Sequence, residues 1–247
     1  MYDNICYGSN YVAEVICRLD FASVLNVFNQ SMPRDIFLAI KKYYPIAEPQ
    51  DIIGTELQIS PGNTAINNIV SKKWKFFSRD RKKCCVIDTN RIVFSCKSYN
   101  VFEELQRAIL DILKKVMMCF PDVQGKRLGL RYINIIPLKD NENWINSKFY
   151  NALSEHKDEN TTKLLTQFEY AIIEKDINVR LQYGYLNPDY PSILKKEDFT
   201  IDIDAYSTGI IYAEDIEELI DNMHFEDQKC FEMMITDGFR DAMNEQV

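Results

Sequence analysis

The most regular hydrophobic pattern in the chain lies in Arg127–Ile136, which is apolar on both alternations of a β-strand. One alternation carries Leu128, Leu130, Tyr132 and Ile136, and the other carries Ile133 and Ile135. A strand that is apolar on both faces is typical of a central position, covered on both sides. Arg131 and Asn134 interrupt the pattern, and burying such side chains without partners costs free energy. The stretch predicts a central strand that carries either a structural polar hub or part of a site.

The first half of the chain predicts strands and amphipathic helices in succession. Tyr11–Phe21 alternates as a half-buried strand does, and the stretch from Ser23 has a helical spacing that Pro33 divides in two. Pro61-Gly62-Asn63 is a strong turn signal, and short polar connections separate three later strand patterns. The remaining predicted elements are strands over Thr55–Ser60, Lys72–Ser78, Lys83–Asp88 and Arg91–Ser98, and a helix over Ser98–Phe120.

The second half predicts a similar order of elements with one strand fewer. Its polar stretch Ser154–Thr162 is typical of a loop, and a break in the last helix is expected around His224–Asp227. The predicted elements are a short helix within Trp144–Leu153, hairpin strands Lys163–Ile173 and Asn178–Leu186, a strand over Phe199–Tyr206 and a helix from Ala213 onward.

These patterns predict an α+β protein with antiparallel sheets backed by helices. The element orders, β-α-β-β-β-β-α and β-α-β-β-β-α, suggest an internal pseudo-repeat of two similar halves, residues 1–123 and 124–247. We expect the halves to be tightly associated or to form one continuous unit.

Composition narrows the classes of function. A chain of 247 residues, 46% of them hydrophobic, can bury a sizeable core, and its net charge of −8 argues against general nucleic-acid coating or adhesion to anionic membranes. The first residues show no signal peptide and no stretch is long enough to cross a bilayer, so we expect a cytoplasmic protein.

The seven cysteines and two histidines predict no metal site and no cofactor. The chain has no CxxC pair, and most cysteines lie in apolar runs that are typical of reduced core residues. Neither histidine has a nucleophile at a recognisable spacing, and no glycine-rich phosphate loop occurs.

Five stretches together give the chain a resemblance to a known family. They are Val12–Phe21, Tyr99–Phe102, Leu128–Asn134, Asp202–Asp204 and Phe231–Asp237, in this order along the chain. The sequence resembles a sporadically distributed family of uncharacterised bacterial proteins of similar length, whose hallmark is the LGLRYIN strand at Leu128–Asn134. The resemblance implies no particular activity, although the family's patchy distribution is similar to that of phage-defence and mobile-element genes. The lysine-rich Lys72–Lys83 stretch departs from the family pattern.

The polar residues of two predicted strands are the main candidates for a site. Arg131 can bind a phosphate or carboxylate, or can pair with a buried acid such as Asp202 or Asp204. On one regular strand Arg131 and Asn134 face opposite sides, whereas Asp202 and Asp204 share a face. Two such carboxylates are the minimum for a divalent metal, but they are also what a half-exposed strand shows. The candidate ligand site or structural polar hub is Arg131, Tyr132, Asn134, Asp202 and Asp204.

A second candidate is a basic hairpin in the first half. Cations interleaved with aromatic residues on a β-ribbon can follow a phosphate backbone, although lysines on an edge also prevent sheet aggregation. The possible interaction surface consists of Lys72, Lys73, Trp74, Lys75, Arg79, Arg81, Lys82 and Lys83.

Three functions are compatible with these features. The favoured hypothesis is a non-catalytic recognition or assembly component of a bacterial system, acting on a ligand or on a protein partner encoded nearby. The alternatives are a metal-dependent enzyme on nucleotides or nucleic acid that uses Asp202 and Asp204, with Arg131 as a further candidate, and a nucleic-acid binder that uses the basic hairpin. The sequence leaves the oligomeric state open.

Overall fold

The computed structural model describes residues 7–60, 63–138, 142–195 and 198–244, apart from the side chains of residues 55–69 and 142. The strands within these ranges are β1 (Val12–Phe21), β2 (Ile46–Ser60), β3 (Asn63–Phe77), β4 (Lys83–Ile87), β5 (Arg91–Cys96), β6 (Gly125–Pro137), β7 (Leu164–Ile172), β8 (Ile177–Tyr185) and β9 (Asp198–Ile211). The helices are α1 (Val27–Gln30), α2 (Arg34–Tyr43), α3 (Phe102–Cys119), α4 (Ser147–Ser154), α5 (Ile216–Met234) and α6 (Asp237–Asn244). Short 3₁₀ turns cover Glu142–Trp144 and Ile173–Lys175.

The strands form one antiparallel sheet in the order β2-β3-β4-β5-β1-β6-β9-β8-β7. The α+β class is therefore confirmed. The strand with the most regular hydrophobic pattern, β6, lies between β1 and β9, as its sequence predicted. Because β1 and β6 pair across the boundary at residue 123, both halves of the chain contribute to a single sheet. The similarity of the two halves is not confirmed by this arrangement.

One face of the sheet packs against the helices. On this helix-covered face, alternate residues of β1, β6 and β9 are buried, with Val15, Leu130 and Ile203 at 0% exposure. Helix α5 packs over β9, β6 and β8, while α3 packs against α2 and α5. Helices on one face explain the alternation in the middle of β1, whereas the successive residues Phe199–Ile203 of β9 are all buried.

The other face of the sheet, here called the outer face, corrects the expectation that β6 is covered on both sides. Ile135 is 37% exposed there, and the Arg131 side chain is 42% exposed. Isoleucine favours a pleated strand through its branched side chain whether or not a second layer covers it. The hydrophobic residues on the outer face of β6 therefore do not require a second layer of structure to cover them.

Two strands begin nine residues earlier than the sequence predicted. Strand β2 begins at Ile46 instead of Thr55, and it contains Pro49, which an edge strand tolerates because one side of its backbone has no ladder. Strand β3 begins at Asn63 instead of Lys72. The predicted turn at Pro61-Gly62 lies outside the described residues.

The predicted break at His224–Asp227 is wrong, because α5 is continuous through it. The buried stripe of α5 runs at spacings of four and three residues through Ile216, Ile220, Met223, Asp227, Cys230 and Met234. Asp227 occupies a core position of this stripe, and its polarity concealed the continuity of the helical pattern. None of the helices in the described ranges has the length and apolarity that crossing a bilayer requires.

Candidate functional site

Arg131 forms a two-pronged ion pair with Asp202 on the outer face. Its Nε donates to Asp202 Oδ1 at 2.7 Å and its Nη2 donates to Oδ2 at 2.5 Å. In the strand register Arg131 lies opposite Asp204, so the pair is a diagonal one. The Arg131 side chain is 42% exposed and that of Asp202 only 11%, so the pair lies at the edge of solvent. This contact agrees with the interpretation in which Arg131 pairs with a buried acid of the same fold.

Asp204 is bound by a second arginine. Arg127 Nη2 lies 3.0 Å from Asp204 Oδ2, and the Arg127 guanidinium stacks 4.7 Å from the ring centre of Tyr206. Burial raises the pKa of Asp204, and the nearby arginines, Arg127 foremost, oppose that rise. Both carboxylates proposed as metal ligands are thus in contact with guanidinium groups. Within the described ranges no group of three or more His, Cys, Asp or Glu side chains is placed to hold a metal ion.

Tyr132 and Asn134 lie on the helix-covered face, opposite Arg131. Asn134 is 4% exposed and its Nδ2 donates to the carbonyl of Ile201 at 3.3 Å. Tyr132 is 7% exposed. The five residues grouped from the sequence therefore divide into two sets on opposite faces of the sheet.

The basic hairpin does not present one continuous cationic face. Lys73 and Lys75 are on the alternation opposite buried Phe76, whereas Trp74 is on the same side as Phe76 and donates its Nε1–H to the carbonyl of Phe28 at 2.8 Å. Several of its cations lie beside acids on different elements. The observed pairs are Lys72 with Asp51 at 3.9 Å, Arg81 with Glu48 at 2.5 Å, and Lys83 with Glu104 at 3.9 Å. The structure places Arg79 and Lys82 in or next to the connecting turn.

A cavity of about 150 Å³ lies between the helices and the centre of the sheet. Its floor includes Val12 of β1, Tyr132 and Asn134 of β6, and Ile203 of β9. Its walls come from the segment before α3, the first turn of α3 and the middle of α5, with further residues from the two ends of the described chain. The five stretches that carry the family resemblance all contribute at least one lining residue.

Helix α5 turns one side toward this cavity. The lining residues His224, Asp227, Gln228 and Phe231 are spaced by three, one and three residues, which places them on one side of an α-helix. These were missed from the sequence, because a helix break was expected at this place. The available signal was an acid at a core position of an otherwise apolar stripe.

Asp227 is the unusual acid of α5. It is 2% exposed, and neither carboxyl oxygen has a hydrogen-bond partner in the described part of the protein. The two other buried acids of the helix are paired: Glu226 with Lys175 at 2.8 Å, and Glu232 with Arg240 at 2.7 Å. Asp227 therefore differs from its neighbours in lacking a cationic partner among these residues.

The surroundings of Asp227 favour its protonated form. Burial raises the pKa of Asp227 well above its ordinary value, with smaller contributions in the same direction from nearby acids. The backbone N–H of Ala205 opposes this rise, but it does not reach hydrogen-bonding geometry with either carboxyl oxygen. The amide is thus close enough to act on the charge without satisfying the group.

His224 is held as a neutral imidazole at one side of the cavity. The Tyr132 hydroxyl lies 3.0 Å from His224 Nδ1, and the Phe102 ring stacks on the imidazole at 3.8 Å between ring centres. Burial lowers the pKa of His224 to about 4, although Glu103 acts in the opposite direction. A neutral ring can accept or donate a hydrogen bond without contributing a charge.

No protein-family model matches this chain, and no curated protein is similar to it at a significant level.

Proposed function

We propose that this protein is a non-catalytic recognition component that binds a small ligand in the cavity between α3, α5 and the sheet. The observation that carries the proposal is the cavity itself, in which an aromatic wall that includes Tyr99 and Phe102 surrounds the few polar groups of Asn134 and His224.

The geometry supports recognition better than catalysis on nucleotides or nucleic acid. Asp202 and Asp204, the carboxylates proposed for a metal-dependent enzyme, each contact a guanidinium group that a cation would have to displace. The lysines of the basic hairpin lie on both faces of the sheet, whereas a groove for a nucleic-acid backbone needs its cations along one path.

We also infer two related halves, a cytoplasmic location and membership of the LGLRYIN family. Strand pairing supports the inference of two halves. In each half the first strand pairs with the last strand of the same half: β1 with β5, and β6 with β9. A long helix then follows each meander. In this arrangement the cavity lies where the two halves meet, since α3 belongs to one and α5 to the other.

A fragment screen by two-dimensional NMR tests the proposed site. We expect bound fragments to shift resonances of Tyr99, Tyr132 and His224, and these shifts to vanish in Asn100→Trp. Asn100 is an exposed lining residue, so a large side chain there blocks the cavity without disturbing the core. Lys97→Trp is the matched control, since Lys97 is exposed in the same connection but does not line the cavity. Hits elsewhere, or hits that Asn100→Trp leaves unchanged, would contradict the assignment.

A further inference from the structure

Strand β7 is an edge strand that lacks the features that usually keep such strands apart. It pairs with β8 over all nine of its residues without a register shift, and no other strand of the described chain pairs with its free side. Proline, lysine and β-bulges interrupt or repel pairing at natural edges, and none of these occurs in Leu164–Ile172. The backbone N–H and C=O groups on the free side of β7 are therefore open to another strand.

The opposite edge of the sheet is protected. Strand β2 carries Pro49, which has no N–H to donate, between the charged residues Glu48 and Asp51. These two acids also lie beside cations of the basic hairpin, Glu48 beside Arg81 and Asp51 beside Lys72. The chain thus protects one of its two edges and leaves the other open.

The middle of β7 exposes apolar area. Residues 167–171 are all exposed, and they include Phe168 at 49% and Tyr170 at 42%. Both rings lie on the helix-covered face, where Phe168 stacks 6.0 Å from Tyr183 and the Tyr170 hydroxyl lies 2.8 Å from Cys230 Sγ. Aromatic rings that are half covered at an open edge leave apolar area for a neighbouring strand to bury.

The one charge of β7 is compensated within its own chain. Glu169 lies opposite Arg180 of β8, whose Nε is 3.4 Å from Glu169 Oε2, and it accepts a hydrogen bond from the Tyr206 hydroxyl. A strand that approaches the free side of β7 therefore meets no unpaired charge on β7 itself.

We propose that β7 pairs antiparallel with β7 of a second copy, about a two-fold axis at Phe168, so that the sheet continues across a homodimer. Phe168 then lies opposite Phe168 of the second copy. Thr166 lies opposite Tyr170, and Leu164 lies opposite Ile172. A two-fold axis requires a self-complementary surface, and the helix-covered face of β7 meets this requirement by pairing aromatic with aromatic and aliphatic with aliphatic at its centre and ends. The inference is independent of the ligand proposed for the cavity.

The charges of the strand favour this register and a second copy as the occupant. On the outer face Gln167 lies opposite Glu169, twice by symmetry, and Leu165 lies opposite Ala171. An axis at Glu169 would place the two Glu169 carboxylates opposite each other, which is destabilising. An axis at Gln167 would place Leu165 opposite Glu169. The register centred on Phe168 avoids both mismatches and uses all nine residues.

Sedimentation velocity of the unmodified protein tests the dimer. Because one pair of edge strands is a small interface, we expect a monomer in dilute solution and a dimer at about 100 μM. Amides on the free side of β7 should exchange rapidly in the dilute monomer and slowly in the dimer, whereas those of β2 stay rapid in both. A protein that stays monomeric at about 100 μM would overturn the proposal. Slow exchange at β7 that appears in the monomer only with cell extract would overturn it in favour of a different protein.

Phe168→Lys tests whether β7 is the interface. Two lysines would lie opposite each other at the axis in place of an aromatic pair, so we expect the dissociation constant of the dimer to rise at least about tenfold. Ile53→Lys is the matched control, since Ile53 is 74% exposed on β2, the other edge strand. Circular dichroism establishes that both variants are folded. A dimer that survives Phe168→Lys unchanged, or that Ile53→Lys dissociates, would overturn the assignment.

Two variants of Gln167 test the register. Gln167→Glu brings two pairs of like charges opposite each other, so the dissociation constant should rise by about two- to thirtyfold. Gln167→Lys places a lysine opposite each Glu169 and should lower the dissociation constant. A charge that merely discourages pairing at any edge would weaken the dimer in both variants. Weakening by both would therefore overturn the register centred on Phe168.

Discussion

At the scale of single residues, Asp227 is the acid of α5 that has no hydrogen-bond partner among the described residues. Its carboxyl group lies at a core position of the helix, removed from bulk solvent. Glu226 and Glu232 on the same helix show that the fold can provide cationic partners for buried acids. The isolation of Asp227 is therefore a local property of the cavity wall and does not reflect a general lack of cations near α5.

The stability of Asp227→Asn tests this view. The pKa of Asp227 in the folded protein is raised above its ordinary value of 3.8. The stability that the group contributes is therefore fully present below pH 3.8, and it is lost as the pH rises toward the folded-state pKa. Asparagine does not titrate, so the variant should be more stable than the unmodified protein by ~1–3 kcal/mol at neutral pH. Urea unfolding should show this gain disappearing near pH 3, and a destabilised variant at pH 7 would show that the native carboxylate is ionised and satisfied.

The Arg131–Asp202 pair makes a more modest prediction. Removal of one partner from a fully buried pair costs about 3–5 kcal/mol, but the Arg131 side chain is 42% exposed and solvent screens the interaction. We therefore expect a coupling energy of about 1 kcal/mol between Arg131→Met and Asp202→Asn in a double-mutant cycle measured by urea unfolding. Arg131→Met with Asp204→Asn is the comparison pair, and a larger coupling there would show that Arg131 exchanges partners.

At the scale of elements, the sequence Arg127-Leu128-Gly129-Leu130-Arg131 explains how β6 holds two arginines on its outer face. Arg127 and Gly129 share that face, and a Cβ at Gly129 would lie 2.7 Å from Arg127 Nη1. The glycine leaves room for the Arg127 side chain to lie along the strand toward Asp204. The requirement for glycine here comes from a neighbouring side chain, since its backbone has no positive φ.

Gly129→Ala should consequently have an effect that depends on residue 127. In the native background the methyl group displaces the Arg127 guanidinium and weakens its pair with Asp204, at a cost of about 1 kcal/mol. In an Arg127→Ala background the same change should be neutral or stabilising by ~0.4–1 kcal/mol, because alanine restricts the unfolded chain. Thermal unfolding of the four proteins measures both values. Equal destabilisation in the two backgrounds would show that Gly129 is required by something other than Arg127.

At the scale of the whole molecule, helices cover the centre of the sheet, whereas each edge strand has a neighbouring strand on one side only. Strands β1, β6 and β9 have neighbours on both sides and helices above them, whereas β2 and β7 are the edge strands. The exposed hydrophobic residues Ile52, Ile53 and Val70 lie on β2 and β3, far from the helices that cover the centre. Stability is expected to decrease from the middle of the sheet outward.

Hydrogen exchange should follow this gradient. Amides of Leu130–Ile135 on β6 should exchange among the slowest in the chain, and those of β2 and β7 that face away from the sheet should exchange fastest among the strands. Exchange monitored by mass spectrometry with peptide resolution is sufficient for this comparison. Rapid exchange at Leu130–Ile135 would contradict the central position of β6.

Much of the fold was predictable because it depends on local pattern. Alternation placed Val12–Phe21, Phe199–Tyr206 and the hairpin strands, and helical spacing placed α3, since both periods depend only on neighbours in the chain. The same rule predicted that Arg131 and Asn134 would face opposite sides of β6, and that Asp202 and Asp204 would share one. The only feature of the tertiary arrangement that was predicted is the position of β6, because its hydrophobic residues on both alternations indicated the centre of a sheet.

The sequence by itself thus determined most of the elements, the class of fold and the faces on which the strand side chains lie, but not the full lengths of β2 and β3 or the continuity of α5. Tertiary structure alone decided that helices cover one face, that Arg131 pairs diagonally with Asp202, and that Tyr132, His224 and Asp227 meet at one cavity. The physical reason is that burial and pairing depend on which distant segments meet, and a local period contains no information about them. A core position in a helical stripe can be read from sequence, but whether the acid occupying it has a partner is a property of the assembled fold.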